Sequence, residues 1–473
     1  MAKITAYIPE PSPNYDVNNQ RQILEALNTI KNQLNFGYQQ DLVNEQAAMT
    51  QFIYGSQSGF GCATGSSTNP TYVTFDGNNV DAFGRLRVSN PLTIFDSKNI
   101  GSKNTLFNES TANGGTVTYT ANKSTVNLNV TEAAGSKTIR QSNRVMSYQP
   151  GKSLLLFNTF VMNTPTTNLK QSVGLFDDNN GIFFFVDGTT YKIVRRTYTS
   201  GAAVDTEISQ SNWNGDKLNG TGASGITLNP ATSNILFIDI EWLGVGSVRV
   251  GFVINGQLIT AHTFYNANSL TTVYMQTANL PIRYQIERSG TLAAGTYTLQ
   301  QICSSCISEG GYQPEGKEQM IQTANIATGV TLTTADTWYN MATIRIRSGR
   351  PYAVILPAGL DILNIANVDF EWGLFFNSTP SSAFSYTTFS DNIEYDLTTV
   401  SLTNVGTQVA GGYTGGKTSP VSVGTSSGSF AFAYQLGQTI AGVSDTLTLG
   451  LKAGSNSKAA AGILKWYDLT YNG

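Results

Sequence analysis

The chain begins with a pattern of helical spacing and then changes to the alternating pattern of strands. Ile23, Leu27, Ile30 and Leu34 recur at intervals of four, three and four residues, which is the spacing of one apolar helix face. The same spacing is close to a short a/d seam of a coiled coil. The stripe therefore indicates either a helix packed on its own domain or part of a small oligomerising bundle, which would need further contact surfaces.

Beyond about residue 100 the chain reads almost wholly as strands, because apolar and polar residues alternate or apolar residues form short runs. Asn255-Gly256 is a strong turn signal, since both central residues of a type I′ hairpin turn need positive φ. Many short strands without helical patterns between them are typical of a sandwich or a jelly roll. The predicted strands of this block are 116–119, 126–130, 153–161, 172–175, 182–186, 191–195, 235–243, 247–254, 257–264, 272–275 and 282–288.

A second block of strands follows a stretch over 316–328 in which the alternation is lost. Within this block, residues 411–428 are rich in Gly, Ser and Thr and are predicted to form a loop. Loops of this length are usually functional or contact another chain. The predicted strands of the second block are 338–347, 353–356, 369–376, 430–436, 446–451 and 463–469.

The pattern as a whole predicts a mainly β protein, in which a short N-terminal helical segment is followed by two β-sandwich or jelly-roll domains. Prolines at positions 9, 11 and 13 disfavour helix and indicate an extended arm at the start. The predicted divisions are an arm and helix over 1–54, a linker over 55–99, a jelly roll over 100–315 and a C-terminal sandwich over 316–473.

Composition narrows the function classes. Only 12% of the 473 residues are charged, against roughly 25% in an average soluble domain. The net charge of −3 and the lack of a basic cluster exclude a protein that grips nucleic-acid phosphates. A content of 40% hydrophobic residues supplies a sizeable core and argues against disorder. No apolar run reaches the roughly 18 residues of a membrane span, and the first residues lack the apolar core of a signal peptide. We therefore expect no membrane insertion.

Few residues offer metal or nucleophilic chemistry. Cys303 and Cys306 have the spacing of half a zinc site, but the sequence contains no second pair of this kind. Residues three apart on a strand face opposite sides, which favours two free thiols. His262 is the only histidine, and the sequence has no GxSxG elbow, so a hydrogen-bonded strand histidine is favoured over a catalytic one. No metal and no other cofactor are expected.

Acidic residues leave two alternatives open. The run from Asp177 to Asn180 supplies oxygens for calcium or builds a hairpin turn, and the turn is favoured because Asp and Asn tolerate left-handed backbone. Asp187, Asp239 and Glu241 offer a carboxylate pair for glycoside hydrolysis, or a hydrogen-bonded pair at a sheet edge. Flanking apolar runs and Trp242 favour the sheet-edge pair. We therefore expect no enzymatic activity.

Residues 80–99, VDAFGRLRVSNPLTIFDSKN, resemble a segment common in structural proteins of tailed bacteriophages, notably those of marine and freshwater hosts. Residues 302–316, ICSSCISEGGYQPEG, are similar to the SEGGYxPxG segment of the same family, and 350–377 with 392–396 are similar to its C-terminal β domain. Cys306 departs from the pattern, which has an aliphatic or small residue there. The region 150–290 looks like a concanavalin-type jelly roll, and many such domains bind glycans, although fold alone does not establish that function.

The resemblance implies a non-enzymatic protein of the virion: a homotrimeric fibre, spike or decoration protein whose N-terminal arm and helix attach to capsid, neck or tail proteins. Ile23, Leu27, Ile30 and Leu34 are the candidate assembly residues on the helix. Arg85 and Arg87 are the candidates in the motif, because a guanidinium fork suits pairing across a subunit interface. The alternative for the two arginines is a pairing inside one chain with Asp81 or Asp96.

The alternative function is that of a receptor-binding tail fibre that recognises a host surface glycan. Four aromatic residues in or near predicted loops could stack on sugar faces, namely Tyr198, Trp213, Tyr265 and Tyr274. Exposed aromatic side chains are equally suited to subunit interfaces. The aromatic residues alone therefore do not separate adhesion from assembly.

Overall fold

Two compact units make up the chain, Met1–Val88 and Ser89–Gly473. The structure, a computed structural model, describes residues 17–18, 20–32, 90–313, 316–323, 328–415, 421–424 and 432–470. The described residues of the first unit, 17–18 and 20–32, are helical, and this helix is named α1. Its Gln, Arg, Leu, Glu, Ala and Lys residues are good helix formers. Within the described ranges, no helix is long and apolar enough to cross a membrane.

The first β-sandwich begins at residue 92 and ends at residue 308. Its short 3-10 turns lie at Ala121–Lys123 and Gln210–Asn212. Its strands are β1 (Leu92–Lys98), β2 (Phe107–Ala112), β3 (Thr116–Thr120), β4 (Thr125–Thr131), β5 (Lys137–Met146), β6 (Leu154–Val161), β7 (Leu169–Phe176), β8 (Gly181–Asp187), β9 (Thr190–Thr197), β10 (Val204–Ser209), β11 (Asn234–Ile240), β12 (Val248–Ile254), β13 (Gln257–Phe264), β14 (Leu280–Arg288) and β15 (Thr296–Ser308).

These strands form two antiparallel sheets with one core between them. The eight-stranded sheet has the order β13-β12-β11-β6-β15-β4-β3, with β1 also paired to β15. The seven-stranded sheet has the order β10-β9-β8-β7-β14-β5-β2. Alternate residues of each strand face the other sheet, so Leu156, Ile238, Val173 and Phe184 are all buried in the same core. The Asn255-Gly256 turn is confirmed, with φ of 53° and 77° between β12 and β13.

The second β-sandwich occupies the remainder of the described chain. A five-stranded sheet has the order β16-β28-β19-β26 with β17 paired to β28, a six-stranded sheet has the order β22-β23-β18-β27-β20-β25, and β21 pairs with β24. The strands are β16 (Lys317–Gln322), β17 (Val330–Leu332), β18 (Trp338–Ile346), β19 (Ile355–Asn364), β20 (Phe370–Phe376), β21 (Thr379–Pro380), β22 (Thr387–Thr388), β23 (Ile393–Asp396), β24 (Leu402–Asn404), β25 (Thr407–Thr414), β26 (Val421–Gly424), β27 (Thr446–Ala453) and β28 (Lys458–Asp468).

The predicted fold class is confirmed: a short N-terminal helix and mainly β structure in antiparallel sheets. Several predicted boundaries were wrong. Strand β1 pairs with β15, so the last part of the predicted 55–99 linker belongs to the first sandwich. Strand β16 lies in the stretch 316–328 and pairs with β28. It was not predicted because it is an edge strand composed mostly of polar residues. The predicted loop 411–428 includes the end of β25 and all of β26.

Two predicted strands are not strands. Residues 272–275 form bends, because Tyr274 and Met275 fill the core from a connecting loop rather than from a sheet. Residues 432–433, inside the predicted strand 430–436, are helical. In both places apolar residues reach a core without any ladder of backbone hydrogen bonds. Apolar runs of this length predict burial more reliably than they predict the element.

The two sandwiches share a packed junction. Phe432, between β26 and β27, belongs to the core of the first sandwich, and its ring lies edge-on to that of Tyr312 with centroids 4.6 Å apart. Arg144 at the end of β5 donates to the carbonyl oxygens of Phe432 and Ala433. Gln435 Nε2 donates to the carbonyl oxygen of Val145 over 3.1 Å. The junction therefore combines a buried ring with side-chain hydrogen bonds to backbone carbonyl oxygens.

Charged side chains cover an aromatic cluster on the outer face of the seven-stranded sheet. Phe176 and Phe183 have ring centroids 4.3 Å apart, yet only 1% and 2% of these residues is exposed. Arg283 lies over the Phe176 ring and Arg196 over the Phe183 ring, at 5.4 and 5.2 Å. Long cationic side chains bury their apolar stems and cation–π contacts add to the effect. The cluster is thus shielded from water although it lies outside the core.

A row of glycines crosses the six-stranded sheet. Gly450 of β27 is paired with Gly373 of β20, which is paired with Gly411 of β25. The ring of Phe375 lies over the first two glycines and is fully buried, edge-on to Trp338 at 4.9 Å. A Cβ at Gly450 would lie 2.6 Å from the Phe375 ring, so any larger residue there must displace the ring.

We expect Gly450→Ala to lower the free energy of unfolding by about 1–3 kcal/mol, because it overpacks the space that the Phe375 ring occupies. Gly454→Ala is the matched control, since a Cβ there has no neighbour within 4 Å. That control should stay within about 0.5 kcal/mol of the wild type. Urea titration followed by tryptophan fluorescence measures both. Equal midpoints for the two variants would show that the ring does not depend on the glycine row.

Candidate functional site

The predicted assembly residues on α1 differ in exposure. Ile23 and Ile30 are half-buried, whereas Leu27 is 50% exposed. The neighbouring Leu24 is 62% exposed, so the apolar face of the helix is wider than the predicted stripe. Leu34 lies outside the described residues, as do Arg85 and Arg87 of the motif. Among the described residues, the helix therefore presents two leucines that its own unit leaves largely in water.

The aromatic residues predicted to stack on sugars separate into two groups. Trp213 and Tyr274 are each only 2% exposed, so the prediction of open rings at these two positions was wrong. The Trp213 indole Nε1 donates to the carbonyl oxygen of Ile208 at 3.0 Å, and the Tyr274 hydroxyl donates to that of Glu241 at 3.2 Å. These polar tips are satisfied inside the protein, which is what permits the rings to be buried.

The other two aromatic residues remain accessible. Tyr265 is 72% exposed, just after β13, and Tyr198 is half-buried after β9. Loop position alone did not distinguish them from Trp213 and Tyr274, because long connections here fold back onto the core.

The residues with metal or nucleophilic potential are accounted for locally. Cys303 and Cys306 are free thiols on β15. Cys306 faces the core, where burial raises the pKa of its thiol to about 12, and the Cys303 thiol contacts the Thr159 hydroxyl at 3.3 Å. His262 Nδ1 accepts from the backbone N–H of Asn214 at 3.3 Å, and burial lowers the pKa of its imidazole. In the described part of the chain, no three His, Cys, Asp or Glu residues form a metal-binding group.

The Asp177–Asn180 run forms the predicted turn. The Asp177 carboxylate accepts from the backbone N–H groups of Asn179 and Asn180, both at 2.7 Å. Asp178 points away and pairs with Arg283 at 2.5 Å. Its neighbour Arg283 lowers the pKa of Asp178 against the opposing effect of burial. These contacts use the carboxylates for turn geometry and ion pairing.

A polar cleft lies beside the end of β11 and has a volume of about 320 Å³. Along β11, Leu236, Ile238 and Ile240 face the core, so Asp239 is presented to the outer face of the eight-stranded sheet. The strand is central, between β12 and β6, which corrects the prediction of a sheet-edge pair. Asp187 belongs to β8 in the other sheet and pairs with Lys192, so it is not part of this cleft. The lining comprises Gly151, Lys152, Ser153, Asp239, Glu241, Ser247 and Arg249.

Asp239 dominates the electrostatics of the cleft. Arg249, opposite it on β12, donates from Nε to the carboxylate at 2.8 Å, while Asp239 is only 7% exposed. Burial raises the pKa of Asp239, Arg249 opposes that effect, and the nearby Glu309 and Glu241 raise the pKa further. Ser153 donates to Glu309 at 2.6 Å. The cleft thus holds carboxylates, an arginine and hydroxyls in close proximity.

This arrangement is better suited to binding than to two-carboxylate hydrolysis. Hydrolysis of a glycoside needs one carboxyl group that gives up a proton and a second that stays free to attack or to activate water. Asp239, one of the two carboxylates in the lining, is tied to Arg249. Donors at Lys152 and Arg249 stand beside acceptors at Glu241, which suits a ligand rich in hydroxyl groups.

Sequence reasoning found Asp239 and Glu241 but missed Arg249 and the loop that carries Lys152. Arg249 becomes visible once β11 and β12 are placed in register, because it lies directly opposite Asp239. The loop of Lys152 is distant in sequence, and no local pattern brings it to the cleft.

No family model matches the chain, and no curated protein sequence matches it. Several solved structures are similar in fold. Peanut lectin with a nine-residue peptide is 14% identical at a TM-score of 0.25, over 46% of this chain and 98% of the lectin. A Bacteroides ovatus GH16 protein of a mixed-linkage glucan locus, in complex with a product, is 8% identical at a TM-score of 0.31, and the match covers 45% of this chain and 99% of that protein. A putative β-glucanase from Mycobacterium abscessus is 10% identical at a TM-score of 0.33, and the match covers 45% of this chain and 99% of the glucanase. At such low values these likenesses carry no inference about a ligand or an activity of this chain.

We expect the loss of stability caused by Arg249→Gln to depend on pH, because it depends on the ionisation of Asp239. The raised pKa of Asp239 means that its carboxyl keeps its proton to a higher pH in the folded protein than in the unfolded chain, and loss of Arg249 has the less effect the more of Asp239 is protonated. As the pH rises, the wild-type carboxylate ionises against Arg249, whereas the variant lacks that guanidinium. The free energy of unfolding of the variant should therefore fall below that of the wild type by about 1–3 kcal/mol at pH 7.

Urea titrations at several pH values measure this difference. The control is Arg249→Gln combined with Asp239→Asn, in which the pH-dependent part of the difference should disappear. A gap between wild type and Arg249→Gln that is constant from pH 4 to pH 7 would contradict the assignment of this ion pair.

Proposed function

We propose that the chain is a non-enzymatic structural protein of a tailed-bacteriophage virion, a trimeric capsid fibre, spike or decoration protein attached through its N-terminal segment. The observation that carries the proposal is the exposed apolar face of α1, on which Leu24 and Leu27 are 62% and 50% exposed. Its sequence support is the resemblance of residues 80–99 to a segment of phage structural proteins.

Burial of the two leucines between copies of the chain would favour association of the helices. A fully buried leucine contributes roughly 1.5–3 kcal/mol relative to an exposed one. With two leucines per chain, a bundle of α1 helices gains from each added copy. Leu27 belongs to the heptad-type stripe, whose residues lie at the centre of a bundle, and Leu24 lies beside that stripe. The helix is too short to hold the assembly alone, so the β region contributes the remaining contacts.

The β region fits a role outside the cell. Apolar side chains on the outer face of the seven-stranded sheet are shielded from water where Arg283 and Arg196 cover Phe176 and Phe183. Cations on the outer faces have acidic partners, such as Arg196 with Asp205 at 2.7 Å and Lys465 with Asp361 at 2.7 Å. Surfaces of this kind carry little net charge and can lie against other virion proteins without strong repulsion.

We expect Leu24→Asp combined with Leu27→Asp to disrupt the trimer, because buried carboxylates in a helix bundle repel one another. Native mass spectrometry of the full-length protein at micromolar concentration should give three chains for the wild type and mainly monomer for the variant. Asn28→Asp adds one negative charge, against two in the double variant, at an exposed polar position of the same helix and serves as the control.

The same variants test attachment. In particles assembled with each variant in place of the wild type, Leu24→Asp with Leu27→Asp should be absent and Asn28→Asp present at wild-type copy number. A wild-type protein that is a stable monomer would overturn the trimer, and full incorporation of the double variant would overturn attachment through this helix.

A second candidate function, recognition of a host surface glycan, is favoured by the polar cleft beside β11. It predicts that the purified protein binds host cells and competes with infection. Lys152→Ala combined with Glu241→Gln should reduce cell binding at least tenfold, because both polar groups line the cleft. Lys170→Ala, on the other sheet, is the control. Equal binding by both variants would exclude the cleft, and loss of host-polysaccharide viscosity would indicate hydrolysis instead.

A further inference from the structure

A second cleft lies at the junction of the two sandwiches and has a volume of about 190 Å³. The first sandwich contributes the Asp177–Asn179 turn, Gln141 of β5 and Arg283 of β14. The second sandwich contributes Tyr352 and the 438–442 segment. Neither sandwich encloses the cleft alone. This volume is below the roughly 300–1,000 Å³ of sites for drug-sized ligands, which favours a small ligand of about one ring.

The buried cation of the junction cleft is already paired. Arg283, which is 2% exposed, bonds Asp178 through Nη1 at 2.5 Å and Gln141 through Nε at 2.7 Å. Arg196, which pairs with Asp205, donates from Nη1 to the backbone carbonyl of Asp177 at 3.2 Å. An anionic ligand would therefore have to compete with these carboxylates, whereas a neutral ligand would leave the ion pairs intact.

Each of these polar side chains keeps one hydrogen-bonding group free. Among the described residues, Arg283 Nη2, Gln141 Nε2 and Asp178 Oδ2 make no hydrogen bond, while the other atoms of the same groups are held in place. Two of the free groups are donors and one is an acceptor. Because their partners fix them, they are oriented before any ligand arrives, which reduces the entropy lost on binding.

The second sandwich adds apolar surface to the junction cleft, beside the polar side chains of Gln438 and Thr439. Pro351, Tyr352 and Ile440 line it, and the Tyr352 hydroxyl is bonded to the side chain of Asn180 at 3.3 Å. Preformed sites combine apolar walls with a few fixed polar groups. A sugar ring matches both sides, since its hydroxyl groups donate and accept while its C–H face is apolar.

We propose that the junction cleft binds a single neutral sugar residue, with Arg283, Gln141 and Asp178 bonding its hydroxyl groups and Pro351, Tyr352 and Ile440 packing on its ring. The site is separate from the cleft beside β11, since Arg283 lies on the seven-stranded sheet and Asp239 on the eight-stranded one. The proposal does not rest on the virion role and would stand if the chain were monomeric.

The test uses the full-length protein and a panel of glucose, galactose, mannose and N-acetylglucosamine, with binding measured by titration NMR and calorimetry. At least one member should bind with a millimolar Kd, as expected for a single ring with few contacts. Ile440→Trp, which fills the cleft while leaving the hydrogen bond of its own backbone N–H to Asn108, should weaken binding at least tenfold. Val443→Trp places the same ring on a neighbouring residue that is 65% exposed and outside the lining, so it should bind like the wild type.

Ile440→Phe provides a smaller obstruction in case the tryptophan variant does not fold, and it should weaken binding by an intermediate factor. Inorganic sulfate serves as the charged comparison and should not bind. The proposal is overturned if no sugar of the panel binds the wild type. It is also overturned if folded Ile440→Phe binds as tightly as Val443→Trp, or if sulfate binds in the cleft and displaces the sugars.

Discussion

The insertion of Phe432 into the core of the first sandwich is the interaction on which the arrangement of the β region depends. The ring is 5% exposed and packs on Tyr312, while Arg144 holds the carbonyl oxygens of Phe432 and Ala433. Further contacts continue from it toward the Asp177–Asn179 turn, since the backbone N–H groups of Gln438 and Ile440 donate to Asn143 and Asn108 of the first sandwich, both at 2.8 Å. The junction cleft is a consequence of this docking, whereas Arg283 pairs with Asp178 and Gln141 inside the first sandwich.

The low charge content acquires a physical meaning in the structure. Cations near the sheets do two tasks at once, since Arg283, Arg196 and Lys192 each cover an aromatic ring and each pair with a carboxylate. An exposed ion pair alone contributes little to stability. Covering an aromatic cluster adds the burial of apolar area, which is a larger effect. Few charges suffice because each is placed over a surface that water would otherwise reach.

Much of the fold follows from local sequence, whereas the sites do not. Strands such as β6 and the β12–β13 hairpin are predictable because their alternation and the Asn255-Gly256 turn agree. Strand β5 is not, since Arg140 is fully buried there and bonds Gln301 and Glu109 from a distant strand and a neighbouring one. A polar residue in a core is satisfied only by partners that tertiary structure supplies.

The candidate sites show the same limit. Asp239 and Glu241 could be identified on one face of a strand, but Arg249 and Lys152 reach them through register and a remote loop. Trp213 and Tyr274 appeared accessible because they lie between strands, yet long connections carry them into the core. The junction cleft combines two sandwiches and has no signature in either segment. Patterns of spacing report the period of an element, and not which surfaces meet.

The position of β1 has a mechanical consequence. Tension transmitted from the N-terminal segment enters the first sandwich at Leu92, where β1 is paired with the last six residues of β15. Strand β15 is thirteen residues long and pairs with β4 over its first half and with β6 over its second. A force applied at Leu92 is therefore transmitted to the middle of the sheet. Within the described residues β1 pairs with β15 alone, so a force applied at Leu92 acts first on that ladder and on the core contacts of Ile94 and Phe95.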